Sequence, residues 1–304
     1  MAELLTAKGT KRQFTAGPEG YPFPCTVIAG KEEGKTVLIT AQIHSGEYPG
    51  TPALIRLAER LDPAELKGTL ILIPCVNITG FYAGTNAYVP EDHGNLNAAY
   101  PGDPDTVTGR IAQYFVQELF PHADFVLDLH SGGMNEALTP CLFFPALKCT
   151  EESLRIAEQL DIPYLVPSYN TAGEMSYAAN VMGIPGLLLE RGYGGMCEEE
   201  WIRAYERDLD LFLCAMGMKE YTDTHTCEKK IFQKAYYTEA EETGLWFPAV
   251  HAGQVIRKGE LLGRTEDFSG RLLREYKAEA DGIVLYYRIG MNAVKGDPLA
   301  AYGQ

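Results

Sequence analysis

Four side chains in this sequence could bind a metal ion or move protons, and each follows a predicted strand. His44 and Glu47 come after the apolar run 36–41, His130 ends the run 124–130, and Glu190 follows the run 186–189. A catalytic zinc ion takes three protein ligands of the histidine, carboxylate or thiolate type and keeps a fourth position open for water. We therefore predict that His44, Glu47, His130 and Glu190 form a shared site for metal binding and acid–base chemistry.

Each of these residues also has an ordinary structural interpretation. A His-x-x-Glu spacing is common by chance, and Glu47 could cap the helix that follows it. His44 and His130 could be hydrogen-bonded core histidines, and Glu190 could form a buried ion pair with Arg191. The placement of all four groups at the ends of three strands favours a shared site, because such ends meet at one edge of a parallel sheet.

Alternating strand and helix patterns between residues 25 and about 220 must position these groups. The helices predicted there include 51–61, with Thr51 as its cap and Pro52 in its first turn, together with 106–120, 151–161, 174–183 and 197–218. Buried strands are predicted at 36–41, 69–74, 124–129, 164–166 and 186–189. Such alternation predicts an α/β fold, with a mostly parallel sheet covered by helices on both faces.

The pattern changes after about residue 226 to short strands separated by glycine. The segments 258–263 and 295–300 share the form Lys-Gly-acid-x-Leu-small, which indicates a repeated hairpin. This region resembles a lipoyl/biotinyl-type barrel sandwich, although its hairpin 264–270 has no acceptor lysine. We predict two domains, a hydrolase domain of residues 1–226 and a small all-β, barrel-sandwich-like domain of residues 227–304.

The amino-acid composition disfavours some classes of binding partner. The 304 residues include 41 acidic and 26 basic side chains, and the formal charge of −15 disfavours nucleic acid and anionic membranes as partners. No apolar run has the length of a signal peptide or of a membrane span. The seven cysteines are scattered without a CxxC pair, as in reduced proteins. We expect a cytoplasmic protein that acts on a small molecule; the sequence leaves a homo-oligomer open.

The order of motifs along the chain resembles that of the zinc carboxypeptidase fold, in particular its succinylglutamate desuccinylase/aspartoacylase branch. The resemblance implies one zinc ion on His44, Glu47 and His130. It also implies that Glu190 deprotonates the attacking water and then protonates the leaving amine, and that Asp128 orients a ligand histidine. The motifs that carry it are His44-x-x-Glu47, Asn77-Ile-Thr-Gly-Phe81, Pro90-Glu-Asp92, Asn95-Leu-Asn97, Tyr100-Pro-Gly102, Asp128-Leu-His130 and Glu190.

Two family arginines, which bind the oxyanion and the substrate carboxylate, are replaced by Ala87 and Ala98. Asn97 is retained and could bind substrate. Candidate replacements for the lost positive charge are Arg191, Arg110 and His93.

The leading hypothesis is a zinc-dependent amidohydrolase that cleaves an N-acyl amino acid or a related small amide. Two alternatives stay open at this point. One is a metal-binding pseudoenzyme or sensor, suggested by Ala87 and Ala98. The other is a carboxypeptidase acting on peptides, which the missing arginines disfavour because nothing then holds a free α-carboxylate.

Overall fold

The computed structural model describes residues 7–223 and 226–304, and a large mixed sheet runs through its first part. Five of the eight strand pairings in this sheet of described residues are parallel, as the sequence predicts. Its nine strands are, in order across the sheet, β1 (Thr10–Ala16), β2 (Phe23–Ala29), β4 (Lys67–Ile73), β3 (Glu32–Ala41), β7 (Phe125–His130), β11 (Gly186–Glu190), β9 (Cys141–Pro145), β10 (Tyr164–Ser168) and β12 (Lys230–Ile231).

Helices cover both faces of this sheet. Alternate residues of β3 point to opposite faces, as the period of a strand requires: Val37 and Ile39 join one buried cluster and Leu38 joins the other. The helices are α1 (Gly50–Arg60), α2 (Ile78–Ala83), α3 (Val107–Tyr114), α4 (Thr150–Ala157), α5 (Glu174–Tyr177) and α6 (Glu199–Ala215). Residues of α1, α4 and α6 belong to the first cluster and residues of α3 to the second. The predicted fold class is confirmed.

The start of α1 differs from prediction, whereas α3 and α5 end close to where they were predicted to end. Helix α1 begins at Gly50 without a side-chain cap, so the prediction that Thr51 caps it is wrong. The Thr51 hydroxyl instead lies 2.5 Å from the carbonyl oxygen of Pro74 and 2.8 Å from Oε1 of Gln42. Single π-helical turns, Phe115–Leu119 and Ala178–Met182, extend α3 and α5 to near the predicted helix ends.

The C-terminal region forms two antiparallel sheets around a core that includes Trp246, Ile256 and Leu262. A two-stranded sheet, β5 (Tyr88–Val89) with β6 (Gly94–Asn95), lies earlier in the chain. One C-terminal sheet contains β13 (Ala235–Glu239), β20 (Pro298–Gly303), β18 (Gly282–Arg288), β15 (Val255–Ile256) and β8 (Glu136–Leu138). The other contains β17 (Leu272–Lys277), β16 (Leu261–Glu266), β14 (Gly244–Pro248) and β19 (Asn292–Ala293).

Two strands cross the predicted domain boundary. Strand β8 belongs to the first 226 residues, yet it pairs with β18 of the C-terminal region. Strand β12 lies after residue 226, yet it pairs with β10 of the large sheet. The two-domain division stays a prediction, but strand pairing joins the two parts in both directions.

None of the helices within residues 7–223 and 226–304 combines the length and the apolar character needed to cross a lipid bilayer.

Candidate active site

The loop after β3 brings the first two predicted ligands together. Gln42, the first residue of this loop, has a φ of 53°, a conformation that is costly for a residue other than glycine. Its buried side chain holds this conformation, because Nε2 donates to the carbonyl oxygen of Ser45 at 3.0 Å while Oε1 accepts from Thr51. The loop therefore turns within three residues and directs His44 and Glu47 to the same point.

His130, the last residue of β7, completes the group. One ligand atom from each of His44, Glu47 and His130 lies within 4.8 Å of the others. Nδ1 of His44 is 2.8 Å from Glu47 Oε1, and Nδ1 of His130 is 2.9 Å from Glu47 Oε2. The two imidazoles thus direct the same ring nitrogen to one carboxylate.

The outward-facing atoms of these ligands are also held. Nε2 of His130 donates to Asp128 Oδ2 at 3.0 Å, and Nε2 of His44 lies 3.0 Å from Asn95 Oδ1. The backbone N–H of Ser131 donates to Glu47 Oε2 at 3.1 Å. Contacts of this type fix the ring orientation and tautomer of metal-binding histidines.

The pKa values of Glu47 and His130 are set by the charges of their neighbours. Burial alone would raise the pKa of Glu47, but the adjacent His44 and His130 lower it to about 2. Burial alone would lower the pKa of His130, but Asp128 and Glu47 raise it well above its ordinary value. The carboxylate is therefore ionised, and the space between the ligands favours positive charge. Two imidazole nitrogens and one carboxylate are a donor set that suits zinc, so these residues fit the ion that the sequence predicts.

Glu190 ends β11 directly beside His130, with which it is in register. Its Oε2 is buried and has no hydrogen-bond partner, which is rare for a carboxylate. Burial and the nearby Glu47 raise the pKa of Glu190 well above its ordinary value. A raised pKa makes a carboxyl group a better proton acceptor, as a general base must be.

A cavity of about 550 Å³ is lined by His44, Glu47, His130 and Glu190. A second cavity of about 720 Å³ adjoins it, since Asn97, Phe143 and Glu190 line both. Glu190 therefore lines both spaces.

The structure brings some of the predicted substrate-binding residues to this cavity and not others. Asn97 lines it, and its Oδ1 accepts from the backbone N–H of Glu174 at 3.1 Å. Arg191 does not line it: its guanidinium donates to Asp208 and to the carbonyl oxygen of Asp161. The cause is the strand period, which turns Arg191 away from the side that Glu190 faces. We correct its predicted role to an ion pair with α6.

His93 is exposed, contacts the ring of Tyr88, and is not among the described residues that line the cavity. Arg110 is exposed on α3 and likewise does not line it. Of the two alanines at family arginine positions, Ala87 lines the cavity and Ala98 is exposed outside it.

Sequence reasoning missed three residues of the site. Asn95 belongs to a quoted motif, but its contact with His44 depends on how the loop folds. Glu136 and Arg288 line the cavity from β8 and β18, and no local pattern marks them. Their placement follows from the pairing of these two strands.

Comparisons with known proteins show what this chain is similar to. The model of the succinylglutamate desuccinylase/aspartoacylase catalytic domain matches residues 33–214. The N-alpha-acetyl-L-2,4-diaminobutyric acid deacetylase of Halomonas elongata is 33% identical over 293 residues, which cover 92% of this chain and 85% of that protein.

Two solved structures have a similar overall fold. The product-bound structure of the ectoine utilization protein EutE (DoeB) from Ruegeria pomeroyi has a TM-score of 0.83 and 28% identity, covering 96% of this chain and 93% of that one. A succinylglutamate desuccinylase/aspartoacylase from Rhodobacter sphaeroides has a TM-score of 0.86 and 27% identity, with 99% and 96% covered.

Proposed function

This chain belongs to the succinylglutamate desuccinylase/aspartoacylase family, and from that premise we propose that it is a zinc-dependent deacylase of N-acyl amino acids or related small amides. Hydrolysis of an amide bond is supported by the family and by the deacetylase relative. The zinc ion, the roles of individual residues and the substrate are the parts that we add.

One observation carries the proposal. The Nδ1 atoms of His44 and His130 meet at the carboxylate of Glu47, and the unpartnered Oε2 of Glu190 belongs to the same cavity. Metal binding alone does not require a further buried carboxyl group without a partner. A hydrolase does require one, because water must lose a proton as it attacks and the amine must gain one as it leaves.

The residues divide the reaction between them. A zinc ion bound by His44, Glu47 and His130 would supply Lewis-acid activation of a water molecule and of the scissile carbonyl. Glu190 accepts the proton of the attacking water at its carboxylate and then donates it to the nitrogen of the leaving amine. Asn97, which lines both cavities, is positioned to hydrogen-bond the substrate beside the scissile bond.

The decisive experiment measures amine release from N-acyl amino acids and short peptides by zinc-loaded protein, with the Glu190→Gln variant alongside. We expect turnover of the acyl amino acids, a loss of about 10²–10⁴-fold in kcat in the variant, and unchanged zinc content. An exposed-site variant, Glu242→Gln, controls for the loss of one negative charge and should behave as the parent.

Other outcomes would replace the proposal. Stoichiometric zinc without turnover across the panel would favour the pseudoenzyme or sensor that Ala87 and Ala98 suggest. Faster release of C-terminal residues from peptides than of amines from acyl amino acids would favour a carboxypeptidase.

A further inference from the structure

The C-terminal region supplies one wall of the catalytic cavity, and this wall contains an opposed pair of charged residues. In the pairing of β8 with β18, Glu136 lies opposite Arg288, and Leu138 lies opposite Tyr286. These four residues line the cavity, whereas the intervening Ala137 and Tyr287 do not. The period of the strands thus presents the carboxylate and the guanidinium on the same side.

The two charged groups are not in direct contact. Among the described residues, no ion pair joins Glu136 to Arg288, although they are opposite in register. Arg288 is bound elsewhere, because Nη2 lies 3.1 Å from Asp297 Oδ2 and Nε donates to the carbonyl oxygen of Asn292 at 2.5 Å. The guanidinium is therefore already compensated by its own β-hairpin.

No ion pair is recorded for Glu136 among the described residues. The one hydrogen bond recorded for its carboxylate is a long one, 3.3 Å from the backbone N–H of Gly133 to Oε2. Burial, together with the charge of Glu47, raises the pKa of Glu136, and the charges of His44 and Arg288 lower it by less. A positively charged group of a ligand in the cavity would compensate it.

The catalytic cavity offers little positive charge to a negative side chain on the substrate, although Lys234 lines the adjoining cavity. Arg288 is the one lysine or arginine among the described lining residues, and it is paired with Asp297. At one family arginine position, the cavity has Ala87. A substrate with an acidic side chain would face Glu136 without a free basic group nearby.

We propose that Glu136 binds the ammonium group of the substrate, and that the preferred substrates are N-acyl diamino acids. The proposal rests on the proposed deacylase function and adds the residue that selects the side chain. It agrees with the name of the Halomonas relative, whose diaminobutyric acid product carries a second amino group.

The test compares two substrates of nearly equal shape, N-acetyl-L-2,4-diaminobutyrate and N-acetyl-L-norvaline, in which a methyl group replaces the ammonium. For the zinc-loaded parent we expect the cationic substrate to be preferred in kcat/KM by at least about tenfold. Glu136→Gln keeps the size of the side chain and should remove most of this preference by raising KM for the cationic substrate alone. The control Glu242→Gln should retain it.

A second readout does not depend on turnover. Titration calorimetry with L-2,4-diaminobutyrate should show binding to the parent that is weakened about tenfold to hundredfold in Glu136→Gln. If no acyl compound is hydrolysed but this difference in binding persists, the deacylase function fails while the ammonium site stands.

Three results would overturn the proposal. The first is equal use of both acetyl substrates by the parent. The second is equal weakening of both substrates in Glu136→Gln, which would indicate a structural role. The third is a content of two zinc ions per chain that falls to one in Glu136→Gln, which would assign this carboxylate to a second metal ion.

Discussion

Asp128 Oδ2 lies 3.0 Å from Nε2 of His130, two residues further along the same strand. Both side chains are buried, and the carboxylate can only accept, so Nε2 donates and Nδ1 is the atom directed to Glu47. Asp128 thereby selects which nitrogen of His130 is available to a metal ion.

Asp128→Asn should therefore weaken zinc binding by about 10–100-fold, because an amide is a poorer acceptor and does not favour one orientation of the ring. Competition with a chelator of known affinity measures the effect. Asp105→Asn, at an exposed position away from the site, is the matched control and should leave the affinity unchanged. Equal zinc affinities in Asp128→Asn and the parent would show that the contact of Asp128 with His130 does not affect zinc binding.

Ala87→Arg tests how a positive charge in the cavity changes the choice of substrate. The new guanidinium enters a cavity lined by Glu136 and by the proposed metal ligands, where it competes with a cationic substrate. We expect kcat/KM for N-acetyl-L-2,4-diaminobutyrate to fall at least about tenfold, and activity on N-acetyl-L-glutamate to rise. Ala87→Met adds similar bulk without charge and separates the two causes. A faster reaction of the cationic substrate in Ala87→Arg would contradict both the preference for cationic substrates and its assignment to Glu136.

The ion pair of Arg191 with Asp208 should matter for stability rather than for substrate binding. Arg191 contacts Asp208, which is fully buried on α6, and removal of one partner leaves the other uncompensated. Arg191→Met should lower the free energy of unfolding by about 3–5 kcal/mol. Combining it with Asp208→Leu should recover part of this loss. Denaturant titration gives the energies, and a changed KM in Arg191→Met at unchanged zinc content would return this residue to the substrate site.

Acid should weaken the contact between α1 and α6 through Glu199. Hydrogen bonds from Arg56 and Arg203 lower the pKa of this exposed carboxylate from 4.5 to about 2. A folded-state pKa below the unfolded one adds stability above pH 4.5, and that stability is lost as the pH falls towards 2. Unfolding midpoints of Glu199→Gln and the parent should thus differ most near neutral pH and converge in acid. A difference that is independent of pH would exclude this ion pair as its source.

Much of the catalytic centre could be predicted because its residues follow strands that the sequence marks clearly. Runs of apolar residues predict β3, β7 and β11, and the parallel arrangement brings their carboxyl ends to one edge. His44, Glu47 and His130 are therefore recognisable as neighbours from their positions alone. Helix α1 was predicted for the same reason, whereas the role of Thr51 was wrong because Gln42 and Pro74 attract its hydroxyl.

The sequence by itself determined the α/β class, the change to β structure near residue 226 and the candidate metal ligands, since these depend on local hydrophobic patterns. Only the tertiary structure decided that β8 joins β18, that Arg191 turns to Asp208, and that Glu136 and Arg288 lie side by side on one wall of the cavity. The physical reason is that distant segments pair through packing between elements. The same packing decides to which side the last residues of a strand point, and no local sequence pattern predicts it.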